Sequence, residues 1–224
     1  MELPLRAEYT GGQYITLKGT QNQEKLRLLG DFGVDTIERK NRELSRQGIQ
    51  ICVEQRDTHG ERITDLISHE AFFLTSALGY LEIFDEKDQK LDVLTCWTRF
   101  REFNRKNNLR VDFALEYAAY FYFRTLGWVV KSGENYGVDF LLYDDQVNAG
   151  HSQYAVLVLE DRDCEIQTTW RQLITKHRVV QSVNKKFLIA IVKPNSQYFE
   201  LPDCIKSMSI IVRSFVGNVA VHDL

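Results

Sequence analysis

The sequence lacks the features that would place it among membrane, secreted or fibrous proteins. Only three of its 224 residues are proline, 44% are hydrophobic and 26% are charged, which is the profile of an ordinary folded chain. Its richest apolar run, 187–192, ends at Lys193, well short of the roughly 18 uninterrupted apolar residues of a membrane span. Residues 1–6 show neither the basic start nor the apolar core of a secretion signal. We therefore expect a soluble, folded protein with no membrane partner.

Cysteine is scarce, and its spacing excludes the commonest zinc sites. The four cysteines are widely separated and form no Cys-x-x-Cys pair: Cys52, Cys96, Cys164 and Cys204. We interpret them as isolated small core residues of a protein in a reducing compartment, the nucleus or the cytoplasm. The sequence predicts no metal site and no cofactor.

Acidic residues are absent from one long segment although the formal net charge is −3. Residues 166–199 contain no Asp or Glu but carry several cations: Arg171, Lys176, His177, Arg178, Lys185, Lys186 and Lys193. A second basic cluster is opposed only by Glu102: Arg99, Arg101, Arg105, Lys106 and Arg110. Such clusters are typical of a phosphate-binding surface. A near-neutral net charge for the whole chain does not exclude such a surface. On charge alone, the alternative is a solvated helix face.

The first part of the chain reads as a small mixed α/β domain, residues 1–106. Periodicity and turn residues predict strands at 14–18, 49–53 and 80–84, and helices at 34–46, from Ser68 as N-cap to Gly79, and at 91–103. The polar run 104–108 marks the boundary, so the second domain is expected over residues 107–224.

The second domain alternates helices and strands and places three reactive residues at their ends. A helix from Val111 to Leu126, ended by Gly127, precedes strands at 138–143 and 154–159, a helix at 170–183 and a strand at 187–192. Tyr143 ends the first of these strands, His151 begins the next, and Lys185 lies at the last helix-to-strand junction. If the two strands pair as a hairpin, Tyr143 and His151 face each other beside its loop.

Tyrosine, histidine and lysine at element ends suggest metal-free RNA cleavage by the neighbouring 2′-hydroxyl. This reaction needs a proton acceptor, a proton donor for the leaving 5′-oxygen, and a charge that stabilises the phosphorane. Histidine titrates near neutral pH, so His151 suits the donor, and Lys185 suits the stabilising charge. A phenol is largely un-ionised at neutral pH unless a cation favours the phenolate, so Tyr143 as acceptor requires Lys185 nearby.

Each of these residues also has an ordinary structural explanation. A strand-end tyrosine packs its ring, a strand-edge histidine lies on the surface, and a lysine is solvated. A two-carboxylate metal nuclease is the competing chemistry, with Asp139 on one strand and an acid-x-Lys on the next. The run Glu160-Asp161-Arg162-Asp163 has no lysine there, which weakens that interpretation.

The motifs around these residues resemble those of tRNA-splicing endonuclease subunits. The family pattern appears in the segments Gly133, Tyr136-Gly137-Val138-Asp139-Phe140, Tyr143, His151-Ser152-Gln153-Tyr154 and Arg178 to Lys186. Further segments resemble the eukaryotic catalytic subunit that cuts the 5′ splice site: Glu70 to Leu74, Tyr122-Phe123-Arg124 and Leu201-Pro202-Asp203-Cys204. The resemblance covers residues 67–216 and implies a catalytic domain with a mixed sheet flanked by helices, giving an α/β (α+β) fold overall.

This resemblance implies roles for individual residues. Tyr143 would be the general base, His151 the general acid and Lys185 the phosphorane stabiliser, leaving a 2′,3′-cyclic phosphate and a 5′-hydroxyl without a metal. The substrate would be precursor tRNA. Arg178 and Phe215 match residues that clamp a bulge nucleotide, and the RNA-binding set is completed by Arg171 and Lys186. A solvated Arg178 and a core Phe215 are the alternatives.

The resemblance also implies partner subunits, namely a second catalytic and two structural subunits, or homologous chains. The loop 193–196 has no acid, which suits a subunit that receives an acidic loop. The apolar segment 210–216 resembles a strand covered by a partner. A long insertion of the eukaryotic members is missing, and Phe215 replaces an expected tryptophan. An archaeal-like subunit that cuts both sites is therefore an alternative, as is a non-catalytic assembly subunit, although the intact Tyr143, His151 and Lys185 argue against the latter.

Overall fold

In the described part of the chain, two six-stranded sheets form the framework, one in each of the units Met1–Arg99 and Phe100–Leu224. The computed structural model describes residues 3–46, 62–144, 151–161, 168–195, 199–216 and 222–223. The division between the units falls within helix α4 (Val93–Lys106), and the sequence-based boundary after residue 106 lies at the end of that helix. None of the described helices is long and apolar enough to cross a membrane.

The first unit contains a mixed sheet in the order β3-β4-β2-β1-β5-β6. Only the pairing of β1 with β5 is parallel, while the other neighbours are antiparallel. Its strands are β1 (Leu5–Tyr9), β2 (Tyr14–Lys18), β3 (Val34–Asp35), β4 (Ile63–Ile67), β5 (Leu81–Phe84) and β6 (Lys90–Leu91). Its helices are α1 (Thr20–Leu28), α2 (Thr36–Arg46) and α3 (Ser68–Ser76), followed by α4.

Most predicted elements of this unit are confirmed, with corrections at the starts of three helices. The helix predicted from Leu91 starts at Val93, because Leu91 belongs to β6 and pairs with Ile83 of β5. The helix predicted from Val34 starts at Thr36, because Val34 and Asp35 pair with β4 and Asp35 accepts a hydrogen bond from the Ile37 main chain at 2.9 Å. Ser68 as N-cap is wrong. Ile67 occupies that position, and its N–H is satisfied by the Glu70 carboxylate at 3.2 Å. The predicted strand 49–53 lies outside the described residues.

The second unit holds the other mixed sheet, in the order β12-β11-β10-β9-β8-β7. Only β9 and β10 are parallel, so the predicted class, a mixed sheet flanked by helices, is confirmed. Its strands are β7 (Val129–Ser132), β8 (Phe140–Tyr143), β9 (Tyr154–Glu160), β10 (Lys186–Lys193), β11 (Ser209–Ser214) and β12 (His222–Asp223). Its helices, besides the end of α4, are α5 (Phe113–Thr125) and α6 (Trp170–Ser182).

The central strands β9 and β10 are buried along most of their length, as their continuous apolar runs predict. Aromatic rings of α5 extend this core, with Phe113 stacked on Tyr117 and Tyr117 on Tyr120. The helix ends as predicted before Gly127, whose φ of 90° suits glycine. Cys96 is fully buried, which raises the pKa of its thiol to about 12 and agrees with a core role, while Cys204 is half-buried.

Candidate active site

The ends of three neighbouring strands meet at one edge of the second sheet. Leu142 of β8 and Lys186 of β10 both lie level with Tyr154 of β9. Because β8 runs antiparallel to β9 and β9 parallel to β10, the last residue of β8 and the residues before β9 and β10 lie at the same edge. Tyr143 is the last residue of β8 and Lys185 directly precedes β10, whereas His151, predicted to begin the next strand, lies three residues before the start of β9 at Tyr154. The predicted hairpin of β8 and β9 is confirmed.

A helix-terminating motif sets the position of Lys185. After α6, the N–H of Asn184 donates to the Gln181 oxygen at 3.0 Å, and the N–H of Lys185 donates to the Val180 oxygen at 3.2 Å. This is the Schellman arrangement, which requires a left-handed residue between helix and strand. Asn184 supplies it, with a φ of 55°. Lys185 therefore leaves the helix in a defined direction and β10 begins directly after it.

The Lys185 side chain is buried, with only 9% of the residue exposed. Its Nζ donates to the main-chain oxygen of Ser152 at 3.3 Å and lies 5.5 Å from the centre of the Tyr136 ring. Burial lowers the pKa of this ammonium from its ordinary value. An ammonium held in this way can still stabilise negative charge at the sheet edge, since its hydrogen bond to Ser152 leaves other N–H groups for a further acceptor.

Tyr143 and His151 differ in exposure. The Tyr143 ring is half-buried against the core of this unit, and its main chain pairs with Val129 of β7. His151 is exposed, whereas Ser152 beside it is buried and its hydroxyl has no hydrogen-bond partner in the described part of the chain. The N–H of Gln153 then donates to the Leu142 oxygen at 2.9 Å, which anchors the chain immediately after His151.

A tight turn marked by Gly133 and Gly137 precedes β8. A Cβ on Gly133 would lie 2.6 Å from the Val138 side chain and 2.9 Å from its oxygen, so only glycine fits there. Gly137 has a φ of 68°, and its oxygen accepts a hydrogen bond from the Lys176 ammonium of α6. Between these glycines, the short 3-10 helix Glu134–Tyr136 carries the Tyr136 ring against the core.

Asp139 stabilises the start of β8 through an internal ion pair. Its carboxylate accepts hydrogen bonds from Arg110 and from the Val158 N–H, each at 2.6 Å, and Arg110 also donates to the Val158 oxygen at 2.5 Å. Burial raises the pKa of Asp139 to about 6, against the opposing effect of Arg110. Within the described residues, no three His, Cys, Asp or Glu side chains gather as a metal-binding group.

Three arginines of the second basic cluster, Arg99, Arg101 and Arg110, form ion pairs within the protein, whereas Arg105 and Lys106 are exposed. Arg101 is 8% exposed and contacts both carboxylate oxygens of Asp112, at 3.0 and 3.1 Å. Arg110 binds Asp139, and Arg99 lies 3.5 Å from Asp85. These ion pairs reduce the expected phosphate-binding surface to Arg105 and Lys106, and its contact with phosphate stays a prediction.

Three basic residues on and after α6 are exposed. Arg171, Arg178 and Lys186 are all accessible, and the Lys186 ammonium lies 5.7 Å from the Tyr154 ring centre. None of these three side chains forms an ion pair with a described residue. Their contact with RNA stays a prediction.

Phe215 lies in the core of the second unit, with 6% of the residue exposed. Its ring centre is 5.3 Å from those of Trp170 and His177 and 5.6 Å from that of Phe187. Trp170 lies on the solvent side of this aromatic cluster and is 60% exposed. The structure thus agrees with the core alternative for Phe215, and base stacking by this residue stays a prediction. Sequence patterns could not reveal that Trp170 covers it.

Comparisons with known proteins point to one family. The family described as tRNA intron endonuclease, catalytic C-terminal domain, matches residues 113–198. The tRNA-splicing endonuclease subunit Sen2 of Mus musculus is 33% identical over 150 residues, covering 63% of this chain and 31% of that protein. Subunit Sen2-1 of Arabidopsis thaliana is 31% identical over 152 residues, covering 67% of this chain and 62% of that protein. The probable subunit sen2 of Schizosaccharomyces pombe is 36% identical over 83 residues, covering 36% and 22%. The chain thus spans less than two thirds of these relatives.

Proposed function

Because its catalytic domain makes this chain a member of the tRNA intron endonuclease family, we propose that it cleaves precursor tRNA at an exon–intron junction, the 5′ splice site. The observation that carries this proposal is the shared sheet edge of Tyr143, His151 and Lys185. Residues 113–198, which match the family, include all three.

The proposed reaction is attack of the 2′-hydroxyl on the adjacent phosphate. Tyr143 accepts the 2′-hydroxyl proton, and the new O–P bond forms a phosphorane whose charge the Lys185 ammonium stabilises. The bond to the 5′-oxygen then breaks, and His151 donates the proton that this oxygen needs. The products are a 2′,3′-cyclic phosphate and a 5′-hydroxyl. The exposure of His151 suits a residue that must reach the leaving oxygen of a large substrate.

In this proposal the chemistry uses no metal. The alternative metal nuclease needs a free carboxylate at Asp139, directly before β8, and this carboxylate instead accepts hydrogen bonds from Arg110 and Val158. The Arg110 guanidinium, 2.6 Å from the Asp139 carboxylate, would compete with a metal ion for the same oxygens. The run that begins at Glu160 also lacks the acid-x-Lys pattern.

We further propose that the chain works in a complex with a second catalytic and two structural subunits, in the nucleus or the cytoplasm. The relatives are themselves named as subunits. Ile211 of β11 and Val216, two residues after that strand, are 43% and 51% exposed, which leaves apolar surface for a neighbour. Mass spectrometry of a complex purified through this chain identifies the neighbours, and recovery of the chain without other endonuclease subunits would count against this part.

The experiment that tests the reaction is end-group analysis of the cleaved exon. Precursor tRNA is folded, excess EDTA is added, and the purified complex is then supplied. We expect cleavage to continue and the 5′ exon to end in a 2′,3′-cyclic phosphate. A 3′-hydroxyl with a 5′-phosphate on the intron would show attack by activated water and would overturn the 2′-hydroxyl mechanism.

A further inference from the structure

The ring of Tyr136 lies beside the buried end of Lys185. The Lys185 Nζ is 5.5 Å from the ring centre, within the range in which an ammonium is attracted to an aromatic face. We infer that Tyr136 is a positioning residue whose ring holds the Lys185 ammonium at the sheet edge where the phosphorane forms. This inference rests on the proposed role of Lys185.

The ammonium needs such a contact because its other interactions with the described residues are few. Its recorded hydrogen bond goes to a neutral acceptor, the Ser152 oxygen, at 3.3 Å. Of the carboxylates that the structure describes, none forms an ion pair with Lys185. A desolvated ammonium is costly without compensation, and burial accordingly lowers the pKa of Lys185. Cation–π attraction is strongest for desolvated cations, so the ring stabilises the charge without neutralising it.

The position of Tyr136 is itself tightly constrained. Its N–H donates to the Gly133 oxygen at 2.9 Å, and Gly133 cannot carry a side chain without meeting Val138. On the other side, the Gly137 oxygen accepts the hydrogen bond of Lys176, which joins the turn to α6. The ring also packs against the core of the second unit. A ring fixed from both sides limits the directions that the lysine can take.

If Tyr136 is a positioning residue, its aromatic ring is required for activity and its hydroxyl is not. Tyr136→Phe retains the ring and its attraction for the ammonium, whereas Tyr136→Leu keeps an apolar side chain but removes the π face. The inference predicts that the phenylalanine variant is active and the leucine variant is impaired. A purely structural role would make the two variants differ in stability instead of in the rate of the chemical step.

The test uses the intact complex and measures single-turnover cleavage and precursor tRNA affinity separately. We expect Tyr136→Phe to cleave within about twofold of wild type and Tyr136→Leu to cleave roughly 5- to 30-fold more slowly, with affinity unchanged. In a Lys185→Ala background the leucine substitution should have no further effect, because the ammonium is gone. If the leucine variant melts early, Tyr136→Met, which is also unbranched at Cβ and apolar, takes its place.

Several outcomes would overturn the inference. Cleavage by Tyr136→Leu at the wild-type rate, equal defects in Tyr136→Phe and Tyr136→Leu, or a full leucine effect in the absence of the Lys185 ammonium would each do so. Lys185→Ala alone distinguishes this from failure of the proposed function. If that variant cleaves normally, the role of Lys185 is wrong, whereas a slow Lys185→Ala with a fast Tyr136→Leu removes only the positioning role.

Discussion

Lys185 donates a hydrogen bond from its ammonium to the main-chain oxygen of Ser152, at 3.3 Å. This contact joins the residue before β10 to the residue that follows His151, across a separation of 33 positions in the chain. Two of the three proposed catalytic residues are therefore connected through the backbone of one short segment. A substitution that displaces the start of β9 or of β10 should therefore affect the positions of both His151 and Lys185.

The left-handed Asn184 provides a direct way to displace Lys185. Asn184→Gly keeps the Schellman ending, because glycine adopts positive φ readily, and should leave cleavage and stability close to wild type. Asn184→Val places a β-branched residue there and should lower the free energy of unfolding by about 1–2 kcal/mol while reducing cleavage. Denaturant unfolding and single-turnover cleavage of both variants measure this. Equal behaviour of the two would show that the backbone conformation at 184 does not matter.

The lowered pKa of Lys185 predicts how cleavage depends on alkaline pH. The phosphorane stabiliser must be protonated, so the rate should fall as pH rises through a pKa that lies below the ordinary lysine value. Lys185→Arg keeps a cation whose guanidinium stays protonated, so this fall should move to higher pH even if the variant is slower. The contributions of Tyr143 and His151 are common to both proteins. Superimposable pH–rate profiles would remove Lys185 as the titrating group.

The burial of Phe215 changes what its substitution should do. Phe215→Ala should lower the free energy of unfolding by roughly 3–5 kcal/mol, as expected for a core phenylalanine, and should slow cleavage at both junctions. Phe215→Leu fills most of the space and serves as the matched control. Thermal melting and junction-specific cleavage measure the two effects. Loss confined to the 3′ junction, with normal melting, would instead favour a base-stacking role.

The ion pair of Asp139 and Arg110 should act on stability more than on chemistry. Asp139→Ala leaves the arginine without its carboxylate and the Val158 N–H without its acceptor, and should cost about 3 kcal/mol in the free energy of unfolding. Asp139→Asn can still accept a hydrogen bond and should cost less. Chemical denaturation of both variants tests this. A stable Asp139→Ala variant that fails to cleave would show that the carboxylate takes part in the reaction.

Local patterns predicted the elements that carry the site but not the contacts between them. The continuous apolar runs of β9 and β10 and the spacing of α5 define those elements, so Lys185 could be placed at a helix-to-strand junction. The approach of Lys185 to Tyr136 depends instead on strand register and on a glycine turn. Tertiary packing likewise buries Phe215 under Trp170, and it pairs Arg110 with a carboxylate 29 positions away. Charge counts along the chain do not reveal such pairs.

The central claim is that Tyr143, His151 and Lys185 form one catalytic unit for one splice junction. Single-turnover cleavage at each junction, by complexes that carry Tyr143→Phe, His151→Ala, Lys185→Ala or all three changes, tests it most directly. We predict that each single variant loses roughly 10²- to 10⁴-fold at the 5′ junction, that the triple variant is little worse, and that the 3′ junction is still cut. Loss at both junctions would indicate a subunit that cuts both sites, and wild-type rates at both junctions in the His151→Ala complex would contradict the account.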